Sequence, residues 1–170
     1  MTKLFTPLMA IFALAAAFAL PAYADDDTVI YLVRHAEKLA DQDPGLTDKG
    51  IARADALADL LASKGITQVF STDYTRTRMT AAPAAKQSGV VVTLYDPRAL
   101  KQFSAELAAV AKAAKGNILV VGHSNTTPVV ASFLTNTDYP MLNEDQYDHL
   151  YIVRRSDGGS LKATIEYFNP

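Results

Sequence analysis

Histidine and arginine stand directly after two apolar segments of this chain. Residues 28–33 read Thr-Val-Ile-Tyr-Leu-Val, and Arg34 and His35 follow them. A second apolar run, residues 117–121, is followed by a glycine and then His123. An imidazole can act as a nucleophile or exchange a proton, and an arginine fork binds the oxygens of anionic groups. These residue types therefore predict a site where histidine chemistry is carried out on an anion.

The segments before the two histidines have the pattern of strands that are buried on both faces of a sheet, because their apolar residues are not interrupted by polar ones. Open α/β sheets bind ligands at the carboxyl ends of such strands. After His123, the residues Ser124 and Asn125 lead into a helix with Pro128 in its first turn. Backbone N–H groups at a helix N-terminus attract anions. We therefore expect Ser124 and Asn125 to help to bind the anion.

The rest of the chain alternates between strand and helix patterns. Helical spacing begins after Thr47, continues in a segment that carries Arg76 and contains Pro83, which can kink it, and returns over residues 100–115. Strand patterns occupy residues 68–71 and 90–94, and residues 149–154 and 161–168 flank a Gly-containing turn as in a hairpin. This order predicts one α/β domain, a three-layer α/β/α sandwich with a mostly parallel central sheet of about six strands.

The N-terminal residues have the features of a cleavable signal peptide. Lys3 precedes an apolar stretch over residues 4–20, and Ala22-Tyr23-Ala24 fits a small-x-small cleavage site. A membrane anchor is less favoured, because the stretch is at the short limit for spanning and no basic cluster follows. We expect residues 1–24 to be removed and residues 25–170 to form an exported domain, periplasmic or secreted, with no stable membrane insertion after cleavage.

Composition and the missing motifs exclude several classes of function. The chain has no cysteine and a net charge of −2, which gives no support for disulfides, thiol chemistry or binding to nucleic acid. It lacks the Walker loop, the Rossmann glycine fingerprint and the His-Glu-x-x-His zinc signature. Its three histidines are far apart in sequence. We therefore predict no metal and no cofactor.

Four motifs together resemble those of the histidine phosphatase (phosphoglycerate mutase-like) superfamily. They are Arg34-His35-Ala36-Glu37, Leu46-Thr47-x-x-Gly50, the block from Ser71 to Ala81 and Gly122-His123-Ser124. Each motif alone is weak, but all four occur in the family's order and spacing. The small size and the Arg-His-Ala-Glu form are most similar to the short bacterial phosphatases of the superfamily.

The resemblance implies a strand order of 3-2-4-1-5-6 with the fifth strand antiparallel. It also implies that His35 is the nucleophile and forms a covalent phosphohistidine, while Arg34, Arg76 and His123 bind the phosphate with Ser124 and Asn125. The implied reaction is the metal-independent hydrolysis of a phosphomonoester or a phosphohistidine. Phosphorylated small molecules, envelope components and phosphoproteins all stay open as substrates.

Two other functions are compatible with the same motifs. The first is a phosphate-binding protein of this fold that has little or no turnover. The second is a phosphomutase, which is less favoured because phosphoglycerates are not expected outside the cytoplasm.

The acid that protonates the leaving group is not identified by any motif. Asp96 is the first candidate, because it lies near the carboxyl end of the third strand. Glu37, immediately after the nucleophile motif, is the second, and a mechanism without such an acid is the third alternative. We expect Arg78 and His149 to lie outside the site, since Arg78 points to another side of its helix and His149 matches no motif.

Overall fold

Ten helices and strands follow one another in the computed structural model, which describes residues 28–170; the predicted signal peptide lies outside these residues. No helix in the described part is long and apolar enough to cross a membrane. The elements are β1 (Ile30–Arg34), α1 (Asp48–Leu61), β2 (Ile66–Thr72), α2 (Thr75–Ser88), β3 (Val92–Tyr95), α3 (Leu100–Ala113), β4 (Asn117–Gly122), α4 (Thr127–Thr135), β5 (His149–Arg155) and β6 (Leu161–Tyr167).

The six strands form one sheet in the order β3-β2-β4-β1-β5-β6. Strand β4 pairs in parallel with both β1 and β2, and β2 pairs in parallel with β3. Strand β5 is antiparallel to its neighbours β1 and β6, so it alone runs in the opposite direction. The predicted α/β fold and strand order are confirmed, with a sheet that is mixed rather than purely parallel.

Strand β1 supplies apolar side chains to both faces of the sheet. Tyr31 and Val33 pack in a core with residues of α1 and α2, whereas Ile30 and Leu32 pack in a second core with residues of α3 and α4. All four side chains are almost fully buried. The uninterrupted apolar run thus reflects a central strand covered on both faces, as expected for three layers.

The end of α2 shifts the third strand from its predicted position. Gly89 adopts a left-handed conformation with φ of 68°, and the N–H of Val90 donates to the carbonyl of Ala85 at 3.0 Å. These residues complete the helix end. Strand β3 therefore begins at Val92 and not at Val90. Pro83 lies inside α2 without ending it.

Helix α1 starts against the segment that follows the first histidine motif. Thr47 caps the helix by accepting the N–H of Gly50 at 3.1 Å, as its sequence position predicts. The N–H of Thr47 donates to the carbonyl of Glu37 at 2.9 Å. A Cβ atom at Gly50 would lie 2.1 Å from that carbonyl oxygen, so only glycine permits this close approach. The motif Leu46-Thr47-x-x-Gly50 thus fixes the chain just beyond His35.

Candidate active site

The two histidines lie side by side because β1 and β4 are parallel neighbours in register. Arg34 is paired with Gly122, so His35 and His123 are the next residue on each strand. The backbone N–H of His35 donates to the carbonyl of Gly122 at 2.9 Å. The two imidazole rings are 5.5 Å apart between centroids, nearly perpendicular to each other. The sheet therefore brings together residues that are far apart in sequence.

His35 has the protonation state of a nucleophile. Its Nδ1 lies 2.7 Å from the carbonyl oxygen of Ala36, and because a carbonyl can only accept, Nδ1 carries the hydrogen. The Nε2 lone pair is then available for attack. Burial, together with the positive charges of Arg34 and Arg76, lowers the pKa of His35 to about 3. The ring is therefore neutral at physiological pH.

The tautomer of His123 follows from its two partners. Nη2 of Arg76 lies 3.4 Å from Nδ1 of His123, and because arginine can only donate, Nδ1 accepts. Nε2 consequently carries the hydrogen and donates it to Oγ1 of Thr72 at 2.9 Å. Thr72 donates in turn to Oγ1 of Thr77 at 3.0 Å, which donates to the carbonyl of Tyr74 at 2.8 Å. This chain of hydrogen bonds fixes the orientation of the ring.

The charge state of His123 is also set by its surroundings. Burial, together with the positive charges of Arg76 and Arg34, lowers its pKa to about 4. The ring is neutral in the free protein, and the edge with Nδ1 contacts the Arg76 guanidinium. A bound anion beside these groups would favour the protonated ring.

Arg34 is buried, and its guanidinium binds the loop that precedes β5. Its Nη1 donates to the carbonyls of Asn143, Glu144 and Gln146 at 2.7, 3.3 and 3.2 Å. The guanidinium carbon lies 4.0 Å from the centroid of the Tyr147 ring. Its Nε is buried and has no hydrogen-bond partner among the described residues. The guanidinium of Arg34 is therefore anchored to this loop through Nη1 and the Tyr147 ring.

Arg76 reaches the same place from the first turn of α2. Residue Tyr74 provides no side-chain cap for this helix, and the carboxylate of Asp43 accepts the N–H and the hydroxyl of Thr75 instead. Asp43 also lies 3.6 Å from Nη1 of Arg76. The Nε of Arg76 is buried and, like that of Arg34, has no partner within the described part of the chain.

The loop between β4 and α4 has a shape set by its own hydrogen bonds. The N–H of His123 donates to Oγ1 of Thr126 at 2.8 Å, and the N–H of Thr127 donates to the carbonyl of His123 at 3.0 Å. The carbonyl of Ser124 accepts the N–H of Leu142 at 3.0 Å. Ser124 and its neighbour Asn125 are thereby held at the N-terminal end of α4, as the sequence predicts.

These residues share one open cavity of about 410 Å³. It contains every site residue predicted from the sequence except the two candidate acids, Asp96 and Glu37. Its lining consists of Arg34, His35, Lys38, Tyr74, Arg76, Pro97, Arg98, His123, Ser124, Asn125, Thr126 and Glu144.

Asp96 does not line this cavity. Its carboxylate accepts hydrogen bonds from the N–H and Nε of Arg98 at 2.9 and 3.0 Å, and it faces neighbouring recesses of the surface. The hydrogen bonds from Arg98 lower the pKa of Asp96, whereas a proton donor needs a raised one. The geometry therefore disfavours Asp96 as the acid that the sequence predicts.

Glu37, the second candidate for the acid, is bound to Arg53 of α1. Both carboxylate oxygens accept from the Arg53 guanidinium at 2.9 Å, and Lys49 lies 3.3 Å away. Burial alone raises the pKa of Glu37, but the bonds from Arg53 outweigh it and lower the pKa to about 2. Arg53 is itself buried and donates to the carbonyl of Phe168. Glu37 therefore ties the nucleophile segment to α1 and the C-terminal segment.

Arg78 and His149 lie outside the cavity lining. Arg78 pairs with Asp73 on the surface, and His149 bonds to Asp148 at 2.8 Å and contacts the ring of Tyr167.

Several residues that shape the site could not be identified from the sequence. Thr72 orients His123, Asp43 holds the start of α2, and Glu144 projects from the loop bound by Arg34. Thr80 accepts the N–H of Ala36 and donates to the carbonyl of Arg76, so it links the segment after the nucleophile to α2. Thr72 and Thr80 belong to the Ser71–Ala81 motif, which marks their segment but not their contacts.

The arrangement is suited to a tetrahedral oxyanion. Two guanidinium groups and His123 surround a neutral histidine with a free Nε2, and the buried Nε donors lack acceptors. The positive charges of the two guanidinium groups that line the cavity would stabilise the oxygens of an oxyanion bound there. In residues 28–170, no group of three or more His, Cys, Asp or Glu side chains is placed to hold a metal ion.

Comparisons of sequence agree with the motifs. Residues 30–103 match the model of the histidine phosphatase superfamily (branch 1). The chain is 36% identical over 77 residues to GpmB of Yersinia pestis (strain Pestoides F), which bears the name "probable phosphoglycerate mutase". That match covers 41% of this chain and spans 35% of the length of the relative.

Comparisons of structure give the same fold over most of the described chain. The protein histidine phosphatase SixA, solved with tungstate, is similar with a TM-score of 0.69 at 16% identity, covering 82% of this chain and 97% of SixA. A mycobacterial glucosyl-3-phosphoglycerate phosphatase is similar with a TM-score of 0.64 at 15% identity, covering 84% of this chain and 98% of that protein. Residues 30–103 thus match the histidine phosphatase superfamily in sequence, and the described chain has the fold of these two phosphatases.

Proposed function

We propose that the protein is a phosphatase that transfers a phosphoryl group from its substrate to Nε2 of His35 and then to water. The observation that carries the proposal is a single cavity that contains a buried neutral His35 together with His123 and the two guanidinium groups of Arg34 and Arg76. A neutral nucleophile beside two cationic groups is suited to attack on phosphorus, because the cations stabilise the charge of the transferred group.

The reaction proceeds in two displacements at phosphorus. Nε2 of His35 attacks while the ester or phosphoramidate bond breaks, and a water molecule then attacks the phosphohistidine and restores the free imidazole. The charge on the equatorial oxygens is stabilised by Arg34, Arg76 and His123, together with the loop that carries Ser124 and Asn125. No step in this sequence uses a metal ion, so the proposed reaction is metal-independent.

The substrate class follows from the same cavity and is supported by the relatives. SixA is named a protein histidine phosphatase and the mycobacterial relative a glucosyl-3-phosphoglycerate phosphatase. We therefore propose a phosphomonoester or a phosphohistidine as the substrate, on a small molecule, an envelope component or a protein. A mutase is less favoured, because it must retain its product for a second transfer, whereas this cavity is open to solvent.

The test is a phosphatase panel on residues 25–170 in excess EDTA. We expect hydrolysis of an activated aryl phosphate that is lost in His35→Ala. His149→Ala is the matched control, because it removes a histidine outside the cavity and should retain activity. Turnover that survives His35→Ala, or that disappears with EDTA, would contradict the mechanism. Binding of vanadate without turnover would support a phosphate-binding protein instead.

A further inference from the structure

The cavity around His35 contains one carboxylic acid among the residues that the structure describes, and this acid is Glu144. Asp96 and Glu37, the two acids considered from the sequence, do not line this cavity. A phosphoryl group that leaves an alkyl alcohol generates a strongly basic oxygen, which a positioned acid can protonate. Glu144 is therefore the acid in this cavity that can perform this step.

The backbone of Glu144 is fixed next to the phosphate site. Nη1 of Arg34 holds the carbonyls of Asn143, Glu144 and Gln146, so the loop is held by an arginine of the active site itself. The Glu144 carboxylate lies 3.4 Å from Nη2 of Arg34. An acid in this position would adjoin both the phosphate and the group attached to it.

The Glu144 side chain is exposed over 87% of its area, so it lies at the mouth of the cavity and not beneath the phosphate. A leaving group must depart towards the mouth, because His35 attacks in line from the opposite side. Exposure also allows the carboxyl to exchange protons with solvent.

We propose that Glu144 is the proton donor to the leaving group, an inference that rests on the proposed function. As the bond between His35 Nε2 and phosphorus forms and the ester P–O bond breaks, the Glu144 carboxyl gives its proton to the departing oxygen. The resulting carboxylate then takes a proton from the water that attacks the phosphohistidine. Phosphate is released, and His35 and Glu144 return to their initial states.

The alternative role for Glu144 predicts the opposite result. A carboxylate near Arg34 could simply compete with the phosphate for the guanidinium. Its removal would then tighten the binding of vanadate and increase kcat/KM on every substrate. A proton donor, by contrast, affects substrates according to the basicity of their leaving groups.

The experiment compares Glu144→Gln with Asp145→Asn, which neutralises the neighbouring loop acid that does not line the cavity. Each variant is assayed on one alkyl and one aryl phosphate, and its affinity for vanadate is measured. We expect Glu144→Gln to reduce kcat on the alkyl phosphate by roughly 10²- to 10⁴-fold and on the aryl phosphate far less. Glu144→Asp should recover part of the alkyl activity, and Asp145→Asn should match the wild type.

Equal losses on both substrates, or a gain on both, would overturn the role of Glu144. A wild type that cleaves aryl but not alkyl phosphates would overturn it too, while leaving the proposed function intact. If the proposed phosphatase function itself were wrong, the wild type would cleave neither the alkyl nor the aryl phosphate. This result differs from every outcome that contradicts only the role of Glu144.

Discussion

At the level of single residues, Arg34 and Arg76 each have a buried Nε–H donor that has no hydrogen-bond partner among the described residues. A buried donor without a partner loses its hydration and receives no hydrogen bond in return. Both nitrogens belong to side chains that line the cavity with His35. A phosphate in the cavity would therefore lie beside both guanidinium groups, whose positive charges would stabilise it.

The lowered pKa values of His35 and His123 predict a pH dependence of stability. Their ordinary value is 6.5, and in the folded protein they are about 3 and about 4. Below pH 6.5 the unfolded chain therefore binds protons that the folded protein does not, and stability decreases as the pH falls. We expect each histidine to reduce the free energy of unfolding by up to roughly 1.4 kcal/mol per pH unit in this range.

Urea unfolding of the wild type and of His35→Gln in phosphate-free buffers measures this effect. The variant should lose less stability than the wild type between pH 7 and pH 5, because it removes one of the two groups. An identical loss in both proteins would contradict the neutral, buried state of His35.

The chemistry-bearing residues differ in how far the sequence could identify them. His35 and His123 each follow an apolar strand, so the local residue pattern predicts their position at the edge of the sheet. Asp96 has a similar position, but its carboxylate turns to Arg98 two residues later. Glu144 lies in a loop without a motif, and only the contacts with Arg34 reveal its place.

At the level of elements, the N-terminus of α2 is held by a residue from another loop. Asp43 accepts from the N–H and hydroxyl of Thr75, and these bonds lower the pKa of its carboxyl. Because Arg76 lies in the next position, Asp43 also helps to set the direction of that guanidinium. Asp43 stands in a segment whose Asp-Pro-Gly turn residues predict only a loop.

We expect Asp43→Ala to lower the melting temperature and to raise KM for an aryl phosphate. The increase in KM should be less than about 10-fold, because an exposed ion pair contributes little. Asp41→Ala is the control, since within residues 28–170 the Asp41 carboxylate accepts a hydrogen bond from the N–H of its neighbour Gln42 and from no other group. An unchanged KM in Asp43→Ala would show that Arg76 is held by its helix alone.

Periodicity predicted the helices well but not the exposure of every apolar residue in them. Ile51 and Phe133 have helical spacing with their neighbours, yet they are 44% and 49% exposed. Each lies at the border of the buried face, where spacing alone does not determine which residues the sheet covers. The start of β3 was missed for a similar reason, because the residues that end α2 are also apolar.

At the level of the whole molecule, the strand order creates the cavity. Strands β2, β4 and β1 are consecutive in the sheet, and their carboxyl ends carry Thr72, His123 and His35 in that order. Adjacent strands are about 4.8 Å apart, so one phosphate can contact both histidines while Thr72 orients His123 from the next strand. This order was implied by the family resemblance and not by the periodicity, because residue patterns do not indicate which strands pair.

For the chain as a whole, the pattern of the N-terminal residues predicts that the protein is exported. The expected mature protein begins at Asp25, after the Ala22-Tyr23-Ala24 site. Intact-mass measurement of the protein from a periplasmic or secreted fraction would give this N-terminus. A membrane-bound species that still contains Met1 would show that residues 1–24 act as an anchor.

The covalent intermediate on His35 is the most direct test of the central claim. The mature protein is mixed with an aryl phosphate, quenched within one turnover in alkali and digested for mass spectrometry. We expect an alkali-stable, acid-labile phosphoryl group on the peptide that contains His35, and none in His35→Ala. Turnover with the phosphoryl group on Ser124, or with no adduct on His35 at any time before completion, would contradict the account.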